Sequence, residues 1–298
     1  MAMSKFIKLE FLLLFSAFCI IASCSGKSDK NNNQSLELDY IAEKINSKGT
    51  LVIEGGGDRI APILQAIINY GGGVDNAKIL VVPFASGIAE QTGIKQSTEF
   101  IALGCKNSDY IYCSKDSVDA QSSLKKLEGV TAIFFSGGDQ STLCSFLNGT
   151  KFLEKIRDIY KNGGVVSGTS AGAAIMSRVM LTGQSKSDTS STGNFNYYKA
   201  NDVVTSNGFA FLDNIVIDQH FVVRSRYTRL LNVLLDNPRL RGIGIDEESA
   251  IVVKSDNTID VVGDGKVIIY EPYKRLENSN TGTSFKLSIL SAGDTYKL

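Results

Sequence analysis

Gly164-Val165-Val166-Ser167-Gly168-Thr169-Ser170-Ala171-Gly172-Ala173-Ala174 is the stretch on which the reading of this chain turns. A short Val-rich run, Val165–Ser167, meets a glycine-flanked serine, and a helix-forming pattern, Ala171–Arg178, opens directly after it. Gly168-Thr169-Ser170-Ala171-Gly172 is a GxSxG motif, and the strand before it and helix after it are the context in which that motif makes a nucleophile elbow. A serine on so sharp a turn needs small neighbours, which Gly168 and Gly172 supply. The amides at the start of the following helix have no partners within it and can face developing negative charge. Read without chemistry, the same stretch is a glycine-rich turn with Ser170 as a helix cap.

Outward from this point the pattern repeats. Short apolar runs at Leu51–Ile53, Ile79–Val82, Tyr110–Tyr112, Ala132–Phe135, Ile215–Ile217 and Ile243–Ile245 alternate with helical segments. The helical segments are Ile60–Asn69, Glu90–Leu103, Ser117–Lys126, Gln140–Leu147, Lys151–Lys161 and Tyr227–Leu235. Runs rich in Val and Ile between helices predict an α/β domain built on a mostly parallel sheet flanked by helices. Ile251–Lys254, Thr258–Val262, Lys266–Tyr270 and Ser284–Leu290 follow one another without helices, and predict antiparallel C-terminal strands finishing the same domain.

A serine nucleophile needs a base, and His220 is the only histidine in the chain. Its unperturbed pKa suits proton transfer near neutrality, and it follows the run Ile215–Ile217, at a strand end where open α/β sheets bind ligands. One histidine also excludes HExxH and other multi-histidine zinc sites. A third group must orient the imidazole. The candidates are Asp218 and the cluster Asp246-Glu247-Glu248, and the cluster gives the order Ser, His, acid, unlike common α/β-hydrolases. For the oxyanion the natural donors are the amide of Ala171 and one from Gly137-Gly138, in the turn Gly137-Gly138-Asp139-Gln140. Gly55-Gly56-Gly57-Asp58 makes a similar turn, but Ile60 stands where a dinucleotide fingerprint needs its third glycine.

The full chain has 298 residues, 43% hydrophobic and 21% charged, with 31 basic and 31 acidic side chains. That is enough for one sizeable core, and a balanced charge argues against nucleic acid as a partner. Lys5 and Lys8 precede an apolar run of 12 residues, Phe11–Ala22, too short to span a bilayer and suited to a signal peptide. The run ends in Ile21-Ala22-Ser23-Cys24, which resembles a lipobox. The expected organisation is therefore a lipoprotein signal over 1–23, a polar tether over 24–47 and a hydrolase domain over 48–298. Cys24 would be lipidated, and the protein exported and held on a membrane, on the periplasmic or cell-surface side. Cys105, Cys113 and Cys144 show no metal-binding spacing, and either one oxidised pair or buried free thiols fits them.

Taken together, Gly137-Gly138-Asp139-Gln140, Gly168-Thr169-Ser170-Ala171-Gly172-Ala173, Asp218-Gln219-His220-Phe221 with Arg224, Arg226 and Arg229, and Gly242-Ile243-Gly244-Ile245-Asp246-Glu247 resemble successive motifs of the cyanophycinases. These are serine peptidases grouped with the aspartyl dipeptidases on a class I glutamine-amidotransferase-like (flavodoxin-like) fold. The resemblance runs from about residue 50 to 255. It implies Ser170 as nucleophile, His220 as base and Glu247 as orienting acid, with Gly138 and Ala171 at the oxyanion. It also implies a substrate pocket of Gln140, Asp218, Gln219, Arg224, Arg226 and Arg229, and no cofactor. The implied substrate is an aspartate-containing peptide, read by guanidinium forks, with Asp139 and Asp218 meeting a substrate guanidinium. Ser249 stands where the family usually has Thr, and a homodimer is left open. The Ser-, Thr- and Asn-rich insert Gly183–Gly208 does not align, and is expected as a lid.

Overall fold

The computed structural model describes residues 47–188, 195–275 and 283–298. The expected signal peptide, Cys24 and the expected tether as far as residue 46 lie outside the described residues. The elements in chain order are β1 (Thr50–Glu54), α1 (Ala61–Tyr70), β2 (Lys78–Val82), α2 (Ala89–Ala102), β3 (Asn107–Tyr110), α3 (Gln121–Lys125), β4 (Ala132–Phe135), α4 (Gln140–Leu147), α5 (Lys151–Lys161), β5 (Val165–Thr169) and α6 (Ala171–Ala174). They continue as β6 (Val179–Ser185), β7 (Val203–Asn207), β8 (Ile215–Gln219), α7 (Tyr227–Asp236), β9 (Arg241–Ile245), β10 (Ser249–Val253), β11 (Thr258–Gly263), β12 (Val267–Arg275), β13 (Thr283–Leu290) and β14 (Thr295–Lys297).

Eight strands form the main sheet in the order β14-β11-β10-β1-β5-β4-β2-β3. The run from β1 to β3 is parallel, and β10, β11 and β14 extend it antiparallel beyond β1. Apart from the edge strand β3, the parallel strands bury both faces, which is why they read as continuous apolar runs rather than as alternation. Val52, Ile79, Val81, Phe134 and Val165 pack beneath α1 and α2. On the other face Leu51, Ile53, Leu80, Ile133, Phe135 and Val166 meet α4, α5 and α6. α5 shows how the sequence makes such a helix: Phe152, Ile156 and Tyr160 recur every fourth residue on the buried side, and Thr150 Oγ1 accepts from Leu153 N at 3.2 Å to start it.

A second sheet, β13-β12-β9-β8, was not expected. β8 and β9 are parallel to each other but belong to this sheet rather than the main one. One face, with Ile215, Ile217, Ile243, Ile245 and Ile269, joins the main core, and the other carries α7 through Leu230, Val233 and Leu234. The alternating glycines of β9 explain the close approach: a Cβ on Gly242 would fall 2.7 Å from Leu234 Cδ1, and one on Gly244 2.2 Å from the Phe221 ring. β12 pairs onto β9 and β13 onto β12, so the C-terminal strands divide between two sheets.

The parallel strands run in the order 1-5-4-2-3. Two other expectations are corrected. β3 lies three residues earlier than the Tyr110–Tyr112 run, since an edge strand paired only to β2 accepts polar residues at Asn107–Asp109. The helix after Ser170 ends at Ala174 rather than Arg178, because Ile175 O, Met176 O and Arg178 O accept from Phe209 N, Leu212 N and Gly208 N. Those cross-chain bonds turn the backbone out of the helix and into β6.

Candidate active site

Ser170 joins β5 to α6 with φ 54 and ψ −110, a conformation that non-glycine residues avoid. Its surroundings hold it there: Ser170 N donates to Glu54 O at 3.1 Å, and Ala173 N and Ala174 N donate to Ser170 O at 2.9 and 3.0 Å. Both motif glycines are required sterically. A Cβ on Gly168 would lie 2.4 Å from Gly172 O, and one on Gly172 2.3 Å from Phe135 O.

His220 follows β8 and also has a left-handed backbone, φ 49. Ser170 Oγ lies 2.8 Å from His220 Nε2, and His220 Nδ1 lies 2.5 Å from Glu247 Oε1. With the ring proton on Nδ1, the hydroxyl donates to Nε2 and the imidazole donates to the carboxylate. Gly56, φ 109, closes against the ring, where a Cβ would fall 2.3 Å from His220 Cε1. Burial lowers the imidazole pKa from 6.5, and the Arg224 and Arg226 charges lower it further, against the raising effect of Glu247.

The acidic cluster divides its tasks. Asp246 Oδ1 accepts from Val222 N and Val223 N at 3.0 Å, pinning the loop after His220. Glu247 takes the imidazole. Glu248, at φ 56, donates its amide to Gly56 O at 2.8 Å. Asp218 points elsewhere, so of the sequence candidates the geometry brings only Glu247 to the ring.

Gly137 abuts the nucleophile: a Cβ there would lie 3.3 Å from Ser170 Cβ. Gly138 has φ 140 and no room for a side chain, its Cβ position being 1.9 Å from Ala85 O. The turn carrying Gly138 and the first residue of α6, Ala171, therefore flank Ser170 Oγ. Asp139 caps α4, its Oδ1 accepting from Thr142 N at 2.6 Å, and its side chain stays exposed.

The expected pocket residues separate into two groups. Arg224 is 49% exposed, with Nη2 3.7 Å from Glu247 Oε1. Arg226 is 7% exposed; its Nη1 donates to Gln219 O at 2.7 Å and to Gln219 Oε1, while its Nε has no partner. Burial pulls the Arg226 pKa down to about 10, and Arg229 adds to the effect. Asp218 and Arg229 are 1% and 2% exposed and grip each other, Nε to Oδ2 at 2.8 Å and Nη2 to Oδ1. This corrects the expectation that Asp218 meets a substrate guanidinium: a carboxylate sealed against Arg229 is not offered to a ligand. Gln140 Nε2 donates to Leu181 O and Thr182 O at 3.0 and 2.9 Å, holding β6.

The insert Gly183–Gly208 is a hairpin, β6 with β7, of which 189–194 lie outside the described residues. Buried Asp202 gathers it, accepting from Ser185 Oγ at 2.6 Å, Ser187 N at 3.0 Å and Tyr197 OH at 3.1 Å. Asn232 of α7 accepts from Lys199 N through Oδ1 and donates to Tyr197 O through Nδ2, at 2.9 Å each. Sequence reasoning missed Asp202, Asn232, the loop-pinning task of Asp246 and the contact of Gly56 with the ring. Only the last had a signal, the glycine triplet after β1. Cys105, Cys113 and Cys144 are free thiols, and burial pushes the Cys144 pKa up to about 12.

Residues 47–261 match the model of peptidase family S51. The cyanophycinase of Geminocystis herdmanii is 33% identical over 261 residues, covering 83% of this chain and 92% of that protein. That of Synechococcus elongatus is 30% identical over 287 residues, covering 90% and 86%. Among solved structures, a peptidase from an acI-B1 Actinobacterium superposes with a TM-score of 0.64 at 22% identity, covering 86% of this chain and 99% of that one. A putative peptidase E protein from Listeria monocytogenes gives 0.50 at 14% identity, covering 75% and 100%, a likeness of fold. Joined to a glycine-framed serine beside the chain's single histidine, these matches lead to one conclusion: the chain belongs to peptidase family S51 and is a serine-type peptidase.

Proposed function

We propose that this peptidase works through Ser170, His220 and Glu247 on peptides that contain aspartate, of the β-linked Asp–Arg kind that cyanophycin carries. The observation behind this reading is the continuous chain of contacts from Ser170 Oγ to His220 Nε2, 2.8 Å, and from His220 Nδ1 to Glu247 Oε1, 2.5 Å. His220 Nε2 takes the hydroxyl proton as Oγ attacks the scissile carbonyl. The tetrahedral oxyanion rests on the amides of Ala171 and Gly138. The imidazolium, balanced by Glu247, returns its proton to the leaving amine, and water repeats the sequence to release the acyl group. The core around the elbow fits a class I glutamine-amidotransferase-like fold.

Aspartate preference follows from charge. Arg224 stands exposed beside the triad, where its guanidinium fork can meet a substrate carboxylate, whereas Arg226 and Arg229 are buried and already hold Gln219 and Asp218. We also read the protein as exported and lipid-anchored at Cys24.

Incubation of the enzyme with cyanophycin and with a panel of α- and β-linked Asp-X dipeptides, alongside Ser170→Ala, tests the reading. Release of arginine-containing products by the native enzyme alone is expected. Turnover of α-linked dipeptides only would move the assignment to an exopeptidase. No turnover and no labelling of Ser170 by a fluorophosphonate would leave a ligand-binding protein.

A further inference from the structure

Glu54 ends β1 with its side chain 1% exposed, yet neither carboxyl oxygen has a hydrogen-bond partner. Nothing in the mechanism above uses it. Strand alternation puts it on the same face as Val52, which lies in the apolar layer under α1 and α2. Thr169 of β5 and Ala250 of β10 are its register partners. Asp58 and Arg59 approach from the segment before α1, with Arg59 Nε and Nη2 held by Glu99 of α2 at 2.7 Å each. No charged residue occurs in α1, β5 or β10. An unpaired carboxylate is costly in such surroundings, so the group persists as the acid. Burial raises its pKa from 4.5 to about 8; the Thr169 hydroxyl and Arg59 pull it down, and Glu99 pushes it up.

The backbone of this same residue begins a clamp. Glu54 O accepts from Ser170 N at 3.1 Å, Gly55 O from His220 N at 2.8 Å, and Gly56 O from Glu248 N at 2.8 Å. Three successive carbonyls thus hold the three separate segments that carry the nucleophile, the base and the acid. The first of these carbonyls belongs to the residue whose buried carboxyl has no partner.

We propose that Glu54 is a positioning residue of this peptidase: as the neutral acid it seats the clamp that registers Ser170, His220 and Glu247, and as the anion it unseats it. The inference rests on the assignment of Ser170 and His220 made above. An anion beneath the strand end draws water or a cation into the apolar layer, and the carbonyls of 54–56 move with it. The enzyme then loses its register above the Glu54 ionisation, while the imidazole is still neutral and competent.

The test is the pH profile of the rate at which a fluorophosphonate labels Ser170, in the native enzyme and in Glu54→Gln. The native rate is expected to climb through the His220 ionisation and to fall near pH 8, about tenfold for each unit beyond the midpoint. In Glu54→Gln, a neutral isostere, the climb stays and the fall disappears. A native profile without the fall, or a Gln variant that keeps it, overturns the proposal. Infrared spectroscopy of Ser170→Ala supplies a measurement free of the catalytic assignment and of any folding defect in Glu54→Gln. A protonated-carboxyl band that persists at about pH 6, where ordinary carboxyls are ionised, and is lost near pH 8 supports it; no such band overturns it. Full activity in Ser170→Ala would instead sink the catalytic assignment, with the infrared result still deciding the state of Glu54.

Discussion

Ser170, His220 and Glu248 all adopt left-handed backbone, with φ of 54, 49 and 56. Each such residue costs roughly 1–3 kcal/mol and survives only where its surroundings over-determine it. Here the surroundings are the carbonyls of residues 54–56 and the bare α-carbon of Gly56, which leaves the imidazole its place. Gly56→Ala puts a methyl into the ring and is expected to slow fluorophosphonate labelling of Ser170 by about 100-fold or more, with the far-ultraviolet circular dichroism of the native protein retained. Native labelling in that variant would show that the ring position is not set there. Glu247→Gln is expected to lower kcat by about 10²–10⁴-fold, and a larger loss in Glu248→Gln would reassign the acid. His220 adds a pH signature. Its pKa is lowered in the fold, burial being the main cause, so activity should rise with pH through a midpoint below 6.5. The linkage has the same sign: the unfolded chain binds the proton more readily, so this group's share of stability is complete above 6.5 and fades as pH falls through the lowered midpoint. A limb retained in an active His220→Ala enzyme would assign the base to another group.

At the scale of elements, β8 and α7 are stitched together by two buried arginines that the sequence could only offer as pocket residues. Arg226 and Arg229 share one helix face, which says nothing about a partner seven or eleven positions back on a strand. The pairing with Gln219 and Asp218 is tertiary, and only the packing of α7 on β9 creates it. Breaking one side of a buried pair strands a charge. Asp218→Asn should therefore cost on the order of 3–5 kcal/mol, seen as a lower denaturant midpoint at unchanged slope. The double variant Asp218→Leu with Arg229→Met should recover much of the loss. If the single variant is as stable as the native chain, the pair contributes nothing net. Asp202 plays a comparable part for the β6–β7 hairpin. Asp202→Ala should speed tryptic cleavage after Lys186 and Lys199, within the segment it gathers, and leave α5 and the main sheet intact. Other elements were legible for local reasons. α4 and α5 start where the sequence places them because Asp139 and Thr150 cap them. Ser170 was legible because its two glycines have no structural substitute.

At the scale of the whole molecule, the sequence carried the parallel core but not its division into two sheets. β8 and β9 are as deeply buried as β1 or β4, and a doubly buried strand bears no mark of the sheet it joins. What decides is the glycine pair of β9, which admits α7 and Phe221 on one face, and the pairing of β12 onto β9 rather than onto the larger sheet. The resulting architecture brings the ends of β5, β8 and the β9–β10 turn to one point, so the site draws on both sheets at once. Every strand of both lies between Thr50 and Lys297, and the family match begins at residue 47. Catalysis and anchoring should then be separable. Cys24→Ser is expected to move the protein out of the membrane fraction, or to leave an unprocessed precursor, while the Ser170 labelling rate of the isolated protein stays at the native value. Membrane association and processing both unchanged in that variant would remove the lipid anchor from the account. A slower labelling rate would show instead that the segment before residue 47 takes part in holding the site.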